Sequence, residues 1–222
     1  MELDITEKNR LIICITGMPG AGKSTVATIL QQNGFSIITM GDVVREEAKR
    51  RNLELTDSNL GNLMLELRKD LGPAAVAQLI LKKIGRETNI IGDMVIDGIR
   101  GVAEVKRLEP MGHVKLLAVH ASANTRYKHI KQRGRSDVPL DNNDFESRDK
   151  RELDIGISQA IALADEVVSN NNLTKEELKL RVITIVQKWI DKINNRSCGL
   201  RDIKNEKITN EHSNCSKSRD AS

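Results

Sequence analysis

One stretch near the N-terminus constrains the fold of this 222-residue chain more than any other feature. Residues 17–24 read Gly-Met-Pro-Gly-Ala-Gly-Lys-Ser and directly follow the apolar run Leu11-Ile12-Ile13-Cys14-Ile15-Thr16. The run is typical of a buried strand, and the apolar residues between 26 and 30 predict a helix after the stretch. A strand, a glycine-rich turn and a helix in this order form a phosphate-binding P-loop, so the chain is predicted to begin with a nucleotide-binding unit.

The residue types of this loop suit phosphate binding. Its three glycines allow a tight turn that brings backbone N–H groups against phosphate oxygens, and the next helix points its positive dipole end at the same anion. Lys23 is predicted to reach the β- and γ-phosphates as a catalytic residue, and the Ser24 hydroxyl to bind Mg²⁺. A nucleoside triphosphate and Mg²⁺ are therefore expected, and the family resemblance given below implies that the nucleotide is ATP. The predicted nucleotide-binding residues are Gly17, Met18, Pro19, Gly20, Ala21, Gly22, Lys23, Ser24 and Thr25.

The rest of the chain alternates short apolar strands with helices. Strands are predicted over residues 11–16, 35–39, 93–96, 114–120 and 166–169. Helices are predicted from the end of the glycine-rich loop to about 32 and over 43–50, 56–70, 74–84, 125–131, 144–160 and about 174–193. This alternation predicts an α/β fold of the P-loop NTPase type, a mostly parallel sheet flanked by helices on both faces. Ligands bind beyond the carboxyl ends of the strands in such sheets, so residues that follow strand ends should converge on one cleft.

Four charged residues follow the predicted strand ends. Asp97 ends the apolar run Met94-Val95-Ile96 and is predicted to hold Mg²⁺; the alternative is an ordinary turn aspartate. Arg45 and Arg100 are predicted to flank the phosphate cleft because a guanidinium group binds phosphate bidentately; the alternative is a solvated surface arginine. Asp42 is either the N-cap of its helix or a catalytic general base.

Residues 134–144 have the glycine, proline, aspartate and asparagine content of a mobile loop. A loop that carries arginines can close over the nucleotide, exclude water and neutralise charge on the transferring phosphoryl group. This interpretation predicts a lid in which Arg133 and Arg148 are catalytic. The alternative is a charged surface helix with Glu146, Asp149 and Glu152 as ion-pair partners. The arginines around the loop are Arg126, Arg133, Arg135, Arg148 and Arg151.

Composition and charge limit the classes of binding partner and the cellular location that can be expected. The net charge of +4 suits anionic ligands, but no basic block with interleaved aromatics stands out, so nucleic acid is not needed to explain it. No apolar stretch is long enough to span a bilayer, and residues 1–10 are charged and unlike a signal peptide. Three cysteines without metal-like spacing fit a reducing cytoplasm. A cytoplasmic protein without a membrane partner is therefore predicted.

The domain organisation is predicted from the apolar periodicity. Residues 1–10 form an N-terminal tail, and residues 11–194 form the P-loop domain. Residues 195–222 are rich in asparagine, serine and lysine and lack apolar periodicity, so they are predicted to be a disordered tail.

Three motifs, in their order, resemble those of adenylate kinases and related nucleoside monophosphate kinases. They are the loop at 17–24, Thr39-Met40-Gly41-Asp42-Val43-Val44-Arg45 and Ile96-Asp97-Gly98-Ile99-Arg100. More closely, residues 40–50, 71–77 and 155–165 resemble an uncharacterised archaeal family of adenylate-kinase-related proteins, sometimes labelled dephospho-coenzyme-A-kinase-like. This family carries the ATP-binding loop, and its acceptor is unsettled.

The resemblance implies a nucleoside-monophosphate-kinase-like fold with acceptor-binding helices at about 42–84 and a small lid at about 133–150. It also implies acceptor-phosphate arginines at Arg45 and Arg100 and a metal-side carboxylate at Asp97. The chain departs from true adenylate kinases because its Asp97–Arg100 segment is one residue shorter and lacks their proline, and its lid has no zinc cysteines. AMP specificity is therefore not implied.

The predicted activity is transfer of the γ-phosphoryl group of ATP to a nucleotide-like acceptor. A phosphate acceptor needs arginines and no general base, because its nucleophilic oxygen is already ionised. A hydroxyl acceptor, as in dephospho-coenzyme A, benefits from a carboxylate base such as Asp42. Arg45 and Arg100 favour the phosphate acceptor. An ATP-dependent switch or assembly factor without a small-molecule acceptor is the alternative from another functional class.

Overall fold

The computed structural model describes residues 10–86, 92–132 and 142–216, and its strands and helices are those of this part of the chain. The strands are β1 Leu11–Thr16, β2 Ser36–Thr39, β3 Met94–Ile99, β4 His113–His120 and β5 Glu166–Ser169. The helices are α1 Lys23–Gln32, α2 Met40–Arg50, α3 Asp57–Leu71, α4 Ala75–Ile84, α5 Val102–Leu108, α6 Ala123–Gln132, α7 Asn142–Ile155, α8 Ile157–Ala162 and α9 Lys175–Ser216.

The strands form one parallel sheet in the order β2-β3-β1-β4-β5, with β1 at its centre. Ile12 and Cys14 of β1 belong to a buried cluster that includes side chains of α2, α3 and α4. Ile13 and Ile15 alternate to the opposite face and are also fully buried, so both faces of the sheet are covered. The predicted α/β fold with a parallel sheet between helices is confirmed.

The carboxyl end of β3 contains an irregularity that positions Asp97. Ile15 of β1 lies opposite Asp97, but the next residue, Thr16, lies opposite Ile99, so the register shifts by one residue. Gly98 is the extra residue and has a φ of +100°, a backbone conformation that favours glycine. The strand therefore extends past its predicted end at residue 96, and Asp97 is a strand residue rather than a turn residue.

Several helices differ from those predicted. Helix α2 begins at Met40 with Thr39 as its N-cap, so Asp42 lies in the first turn and is not the cap. A carboxylate in this turn still favours the helix through the helix dipole. Helix α5 was not predicted, because it has only seven residues. The predicted helix over 144–160 is divided at Gly156, whose φ of +102° ends α7 before α8 begins.

The last helix begins as predicted and continues further. Thr174 and Glu177 form reciprocal hydrogen bonds between side chain and backbone N–H, the capping box expected from the sequence. Helix α9 then runs to Ser216, beyond the predicted end near residue 193 and through most of the segment predicted as a disordered tail. No proline interrupts residues 195–216, and extending a helix costs less than nucleating one.

The chain separates into two compact units, Met1–Ile183 and Thr184–Ser222. The first unit contains the sheet and every candidate site residue that the sequence predicts. The predicted boundary at residue 194 lies inside the second unit. Among the described residues, no helix has both the length and the apolar character needed to cross a membrane.

Candidate nucleotide-binding site

The glycines of the loop between β1 and α1 lie where no larger residue fits. Gly17 has a φ of +140°, and a Cβ atom there would lie 2.2 Å from the carbonyl oxygen of Val119 in β4. Gly22, the N-cap of α1, has a φ of +105°, and a Cβ atom there would lie 2.3 Å from Nδ2 of Asn170. Both the backbone conformation and the close neighbours therefore require glycine at these two positions.

Three side chains from distant parts of the chain bind the carbonyl groups of this loop. Arg126 Nη1 donates to the Pro19 carbonyl at 3.1 Å, and Asn170 Nδ2 donates to the Ala21 carbonyl at 2.9 Å. Nδ1 of His129 lies 2.9 Å from the Gly20 carbonyl oxygen. In a trans peptide the carbonyl and the following N–H point in opposite directions, so these contacts direct loop N–H groups away from the supporting side chains. Outward N–H groups are what a phosphate-binding loop requires.

Arg126 ties the loop to two helices. Its guanidinium group forms two hydrogen bonds to the Asp149 carboxylate of α7, at 2.7 and 2.5 Å, and packs over the Phe145 ring. The residue is only 6% exposed, so it has a supporting position beneath the loop rather than a position on a mobile lid. The predicted grouping of Arg126 with the lid arginines is therefore corrected.

Lys23, the first residue of α1, folds back over the loop. Its Nζ donates to the carbonyl of Gly17 at 2.6 Å and to that of Met18 at 3.2 Å. The ammonium group thus lies on the loop itself, where its charge can reach a phosphate bound by the same loop. Ser24 and Thr25 follow in the first turn of α1, and both are half-buried.

Asp97 lies next to the point where β1 enters the loop. It is paired with Ile15 of β1 on one side and with Thr39 of β2 on the other, and it is 6% exposed. Its carboxylate and the Ser24 hydroxyl are hard oxygen donors of the kind that Mg²⁺ prefers. Asp97 lies on the strand beside the start of the loop, and Ser24 lies in the helical turn after it. The chemistry of these two donors fits a magnesium ion.

Arg100 and Glu152 join the carboxyl end of β3 to α7. Arg100 Nε donates to Glu152 Oε2 at 2.8 Å, with a longer contact of 3.4 Å between Nη2 and Oε1. Burial alone would raise the pKa of the Glu152 carboxyl. The charge and hydrogen bond of Arg100, together with the charges of Lys23 and Arg148, outweigh burial and lower that pKa. Glu152 is therefore an ionised carboxylate in the field of the loop lysine and two arginines.

The other predicted site residues have different surroundings. Arg45 Nη2 donates to Asp42 Oδ1 at 2.5 Å, one turn away on α2, and both side chains are exposed, at 46% and 57%. Arg148 lies on α7, one turn before Glu152, and its charge acts on that carboxylate. Arg133 lies outside the described residues, as does most of the predicted lid loop. The structure thus joins Arg100 to Glu152, and the charges of Lys23 and Arg148 act on the same carboxylate.

Comparisons with known proteins agree with the loop and the sheet around it. A family model described as an AAA domain matches residues 16–144, more than half of the chain. The UPF0200 protein of Thermococcus onnurineus is 40% identical over 181 residues, which are 80% of this chain and 97% of the relative. That of Methanocaldococcus jannaschii is 44% identical over 160 residues, which are 72% of this chain and 81% of the relative. The chain belongs to the UPF0200 family.

Solved structures extend this result to the fold of the UPF0200 chain. A crystal structure of a Thermus thermophilus protein aligns with a TM-score of 0.59 at 19% identity, over 82% of this chain and 98% of that one. Shikimate kinase from Acinetobacter baumannii, in complex with shikimate, aligns with a TM-score of 0.53 at 12% identity, over 82% and 95% of the two chains. The UPF0200 chain therefore has the fold of a P-loop kinase-like domain.

Several residues of the UPF0200 site were missed because their contacts are remote in sequence. His129 and Asn170 were not predicted to contact the loop, and they lie 109 and 149 residues from their partners in it. Glu152 was considered only as a possible surface ion-pair partner. The spacing of Arg148 and Glu152, one helical turn apart, is the one local signal that could have placed both on the same face of α7.

Proposed function

We propose that this UPF0200 protein is a small-molecule kinase that transfers the γ-phosphoryl group of ATP to a nucleotide-like acceptor. The observation that carries the proposal is the ion pair of Arg100 with Glu152, a carboxylate on which the charges of Arg148 and of Lys23 in the glycine-rich loop also act. Phosphoryl transfer needs cations that stabilise charge on the group in transit, and Arg45 and Arg100 supply further cations for an acceptor phosphate, which a switch without a small-molecule acceptor does not require. The resemblance to nucleoside monophosphate kinases supports the same assignment.

The donor side of the reaction is assigned to the residues from Gly17 to Thr25 and to Asp97. The N–H groups of the loop bind the phosphates, and Lys23 turns from the loop carbonyls to the β- and γ-phosphate oxygens. Ser24 and Asp97 hold Mg²⁺, which neutralises phosphate charge when bound. Arg148, with Arg133 from the lid segment, adds positive charge near the transferring group.

The acceptor side is assigned to Arg45 and Arg100. Both guanidinium groups are bound by carboxylates of this chain, Asp42 and Glu152, which hold them in place before an acceptor binds. A phosphate acceptor would take the place of a carboxylate on the arginine fork. Two arginines on the acceptor side favour a phosphate acceptor over a hydroxyl acceptor, because a guanidinium fork binds phosphate bidentately.

An acceptor panel tests this proposal. The purified protein is incubated with ATP and Mg²⁺ and, in separate reactions, with each nucleoside monophosphate and with dephospho-coenzyme A, while ADP release is followed. We expect at least one monophosphate to raise the rate well above basal hydrolysis. Stimulation by dephospho-coenzyme A alone would favour the hydroxyl kinase, and no stimulation by any acceptor would favour the switch.

The Lys23→Ala variant tests the role of the loop. Removing the ammonium group should lower the turnover rate about 100-fold or more, because a cation at developing phosphoryl charge contributes on that scale. Lys49→Ala is the matched control, since Lys49 is exposed on α2. Undiminished turnover in Lys23→Ala would show that the glycine-rich loop does not take part in the reaction.

A further inference from the structure

Arg68 of α3 has a buried guanidinium group whose terminal nitrogens form no hydrogen bond among the described residues. Its nearest carboxylate is that of Glu104 in α5, where Nη2 lies 3.5 Å from Oε1 in a geometry that makes an ion pair without a hydrogen bond. The side chain is 16% exposed, and that of Glu104 is 1% exposed. The sequence patterns single out neither residue.

Glu104 pairs with Arg68 through charge alone, since the facing oxygen Oε1 forms no hydrogen bond among the described residues and the other oxygen is bound by the backbone. Glu104 Oε2 accepts hydrogen bonds from the backbone N–H of Arg100 at 2.8 Å and of Gly101 at 3.2 Å. These bonds hold the carboxylate at the start of α5 and leave the Arg68 fork facing it at a distance. A buried donor without an acceptor is destabilising, and more so when it is charged.

Arg68 lies in the same charged environment as the acceptor arginine Arg100. Burial lowers the pKa of the Arg68 guanidinium, the Glu104 carboxylate opposes this effect, and the nearby charge of Arg100 adds to it. The Glu152 carboxylate also acts on Arg68. The like charges of Arg68 and Arg100 oppose one another, and an anion bound to both would relieve this repulsion.

The two arginines differ in what an incoming anion must displace. Arg100 is hydrogen-bonded to Glu152, so an anion has to break that pair before it can use the fork. The terminal nitrogens of Arg68 can bind an anion without breaking a hydrogen bond within the described part of the chain. A planar guanidinium fork matches the oxygens of a phosphate monoester, and the contact is stronger in a buried site than in water.

We propose that Arg68 is a further acceptor-binding residue, which binds the phosphate monoester of the acceptor together with Arg100. The proposal rests on the proposed kinase function and names a contact that neither the sequence motifs nor the family assigns. Arg68 gives α3 a direct part in selecting acceptors that carry a phosphate over those that present only a hydroxyl group. Glu104 is a positioning residue, because it acts by orienting the Arg68 fork.

Phosphate binding to the full-length chain tests the site directly. The donor loop is first saturated with ADP and Mg²⁺, and inorganic phosphate is then titrated by calorimetry. Arg68→Met should weaken phosphate binding about tenfold or more, because a charge-assisted hydrogen bond contributes about 1.5–3 kcal/mol. ADP affinity should not change. Lys69→Met is the matched control, since it removes the same charge from the exposed neighbouring position on α3 and should bind phosphate as the unaltered protein does.

The Arg68→Lys variant distinguishes a loss of phosphate binding from a loss of stability. This variant keeps a positive charge opposite Glu104 but loses the planar fork, so it should melt close to the unaltered protein and still bind phosphate more weakly. It also decides the question if Arg68→Met does not fold. Phosphate binding by Arg68→Lys equal to that of the unaltered protein would overturn the proposal, as would no phosphate binding by the unaltered protein.

The outcomes separate this inference from the kinase proposal. If phosphate binding depends on Arg68 but no acceptor of the panel stimulates the protein, the kinase proposal is refuted and the phosphate-binding site at Arg68 is retained. A stimulated kinase whose KM for the phosphate acceptor is the same in Arg68→Met would refute the role of Arg68 alone. In the expected case KM for the acceptor rises and KM for ATP does not.

Discussion

Gly17 and Gly34 both have positive φ angles but lie in different surroundings. Gly17 has a φ of +140° and lies against the Val119 carbonyl of β4, whereas Gly34 has a φ of +92° with no atom within 4 Å of an added Cβ. An alanine at either position carries backbone strain, about 1–2 kcal/mol for a left-handed residue. Only at Gly17 must the loop also move away from the neighbouring strand.

Gly17→Ala and Gly34→Ala therefore form a matched pair. We expect Gly17→Ala to weaken ADP binding about tenfold or more, since the displaced loop no longer presents its N–H groups to the phosphates. Gly34→Ala should lower the melting temperature by a few degrees and leave ADP affinity unchanged. Calorimetric titration and thermal melts measure both effects. Equal ADP affinity in the two variants would contradict the role given to the close approach of loop and strand.

The loop could be predicted from the sequence because its parts are adjacent in the chain. A strand, glycines at fixed spacing and a lysine at the helix start are enough to recognise it. Arg68 could not be recognised in the same way, because its charged neighbours Glu104, Arg100 and Glu152 lie 36, 32 and 84 residues away along the chain. A single arginine within an amphipathic helix gives no local sign of such a neighbourhood.

At the scale of elements, α6 and α7 are coupled beneath the loop. Arg126 of α6 binds both Asp149 of α7 and the Pro19 carbonyl, and Tyr127 packs edge-to-face on Phe145 at 5.4 Å between ring centroids. Helix α7 also carries Arg148 and Glu152. The position of these two charges near Lys23 therefore depends on the pair between Arg126 and Asp149.

A double-mutant cycle tests this coupling. Arg126→Met should lower the free energy of unfolding by about 2–4 kcal/mol, because it leaves the Asp149 carboxylate in a poorly solvated site without its partner. Arg126→Met combined with Asp149→Leu should cost less than the sum of the two single changes. Denaturant unfolding gives the energies, and ADP titration should show weaker binding in both Arg126 variants. Strict additivity of the unfolding energies would contradict a direct pair.

Long, regular elements were predicted more accurately than short or irregular ones. The central strand β1 has its predicted bounds and helix α1 ends at its predicted residue, because a continuous apolar run and a helical apolar stripe each favour one structure. The shift at Gly98, which extends β3 through Asp97, depends on pairing with β1 and is invisible in β3 alone. The seven-residue helix α5 was missed because so short a segment has little periodicity.

At the scale of the whole molecule, the candidate site and the C-terminal residues 196–222 belong to different units. The loop, the sheet and the arginines around the loop lie in Met1–Ile183, whereas residues 196–222 lie in the second unit. The matched region of the Thermococcus onnurineus relative accounts for 97% of that protein but for 80% of this chain. The match therefore covers nearly all of the relative but leaves a fifth of this chain unmatched.

Removal of residues 196–222 should therefore leave nucleotide binding intact. We expect the shortened chain to bind ADP with unchanged affinity and to melt within a few degrees of the full chain, because no site residue is removed. Trp189, the only tryptophan, is retained, so its fluorescence can follow unfolding in both proteins. Circular dichroism separates the helix from the disordered tail that the sequence predicted. Loss of the helical signal of residues 196–216 would agree with α9, and an unchanged signal would agree with a disordered tail. A fall in ADP affinity would contradict the prediction, because it would show that residues 196–222 act on the nucleotide site.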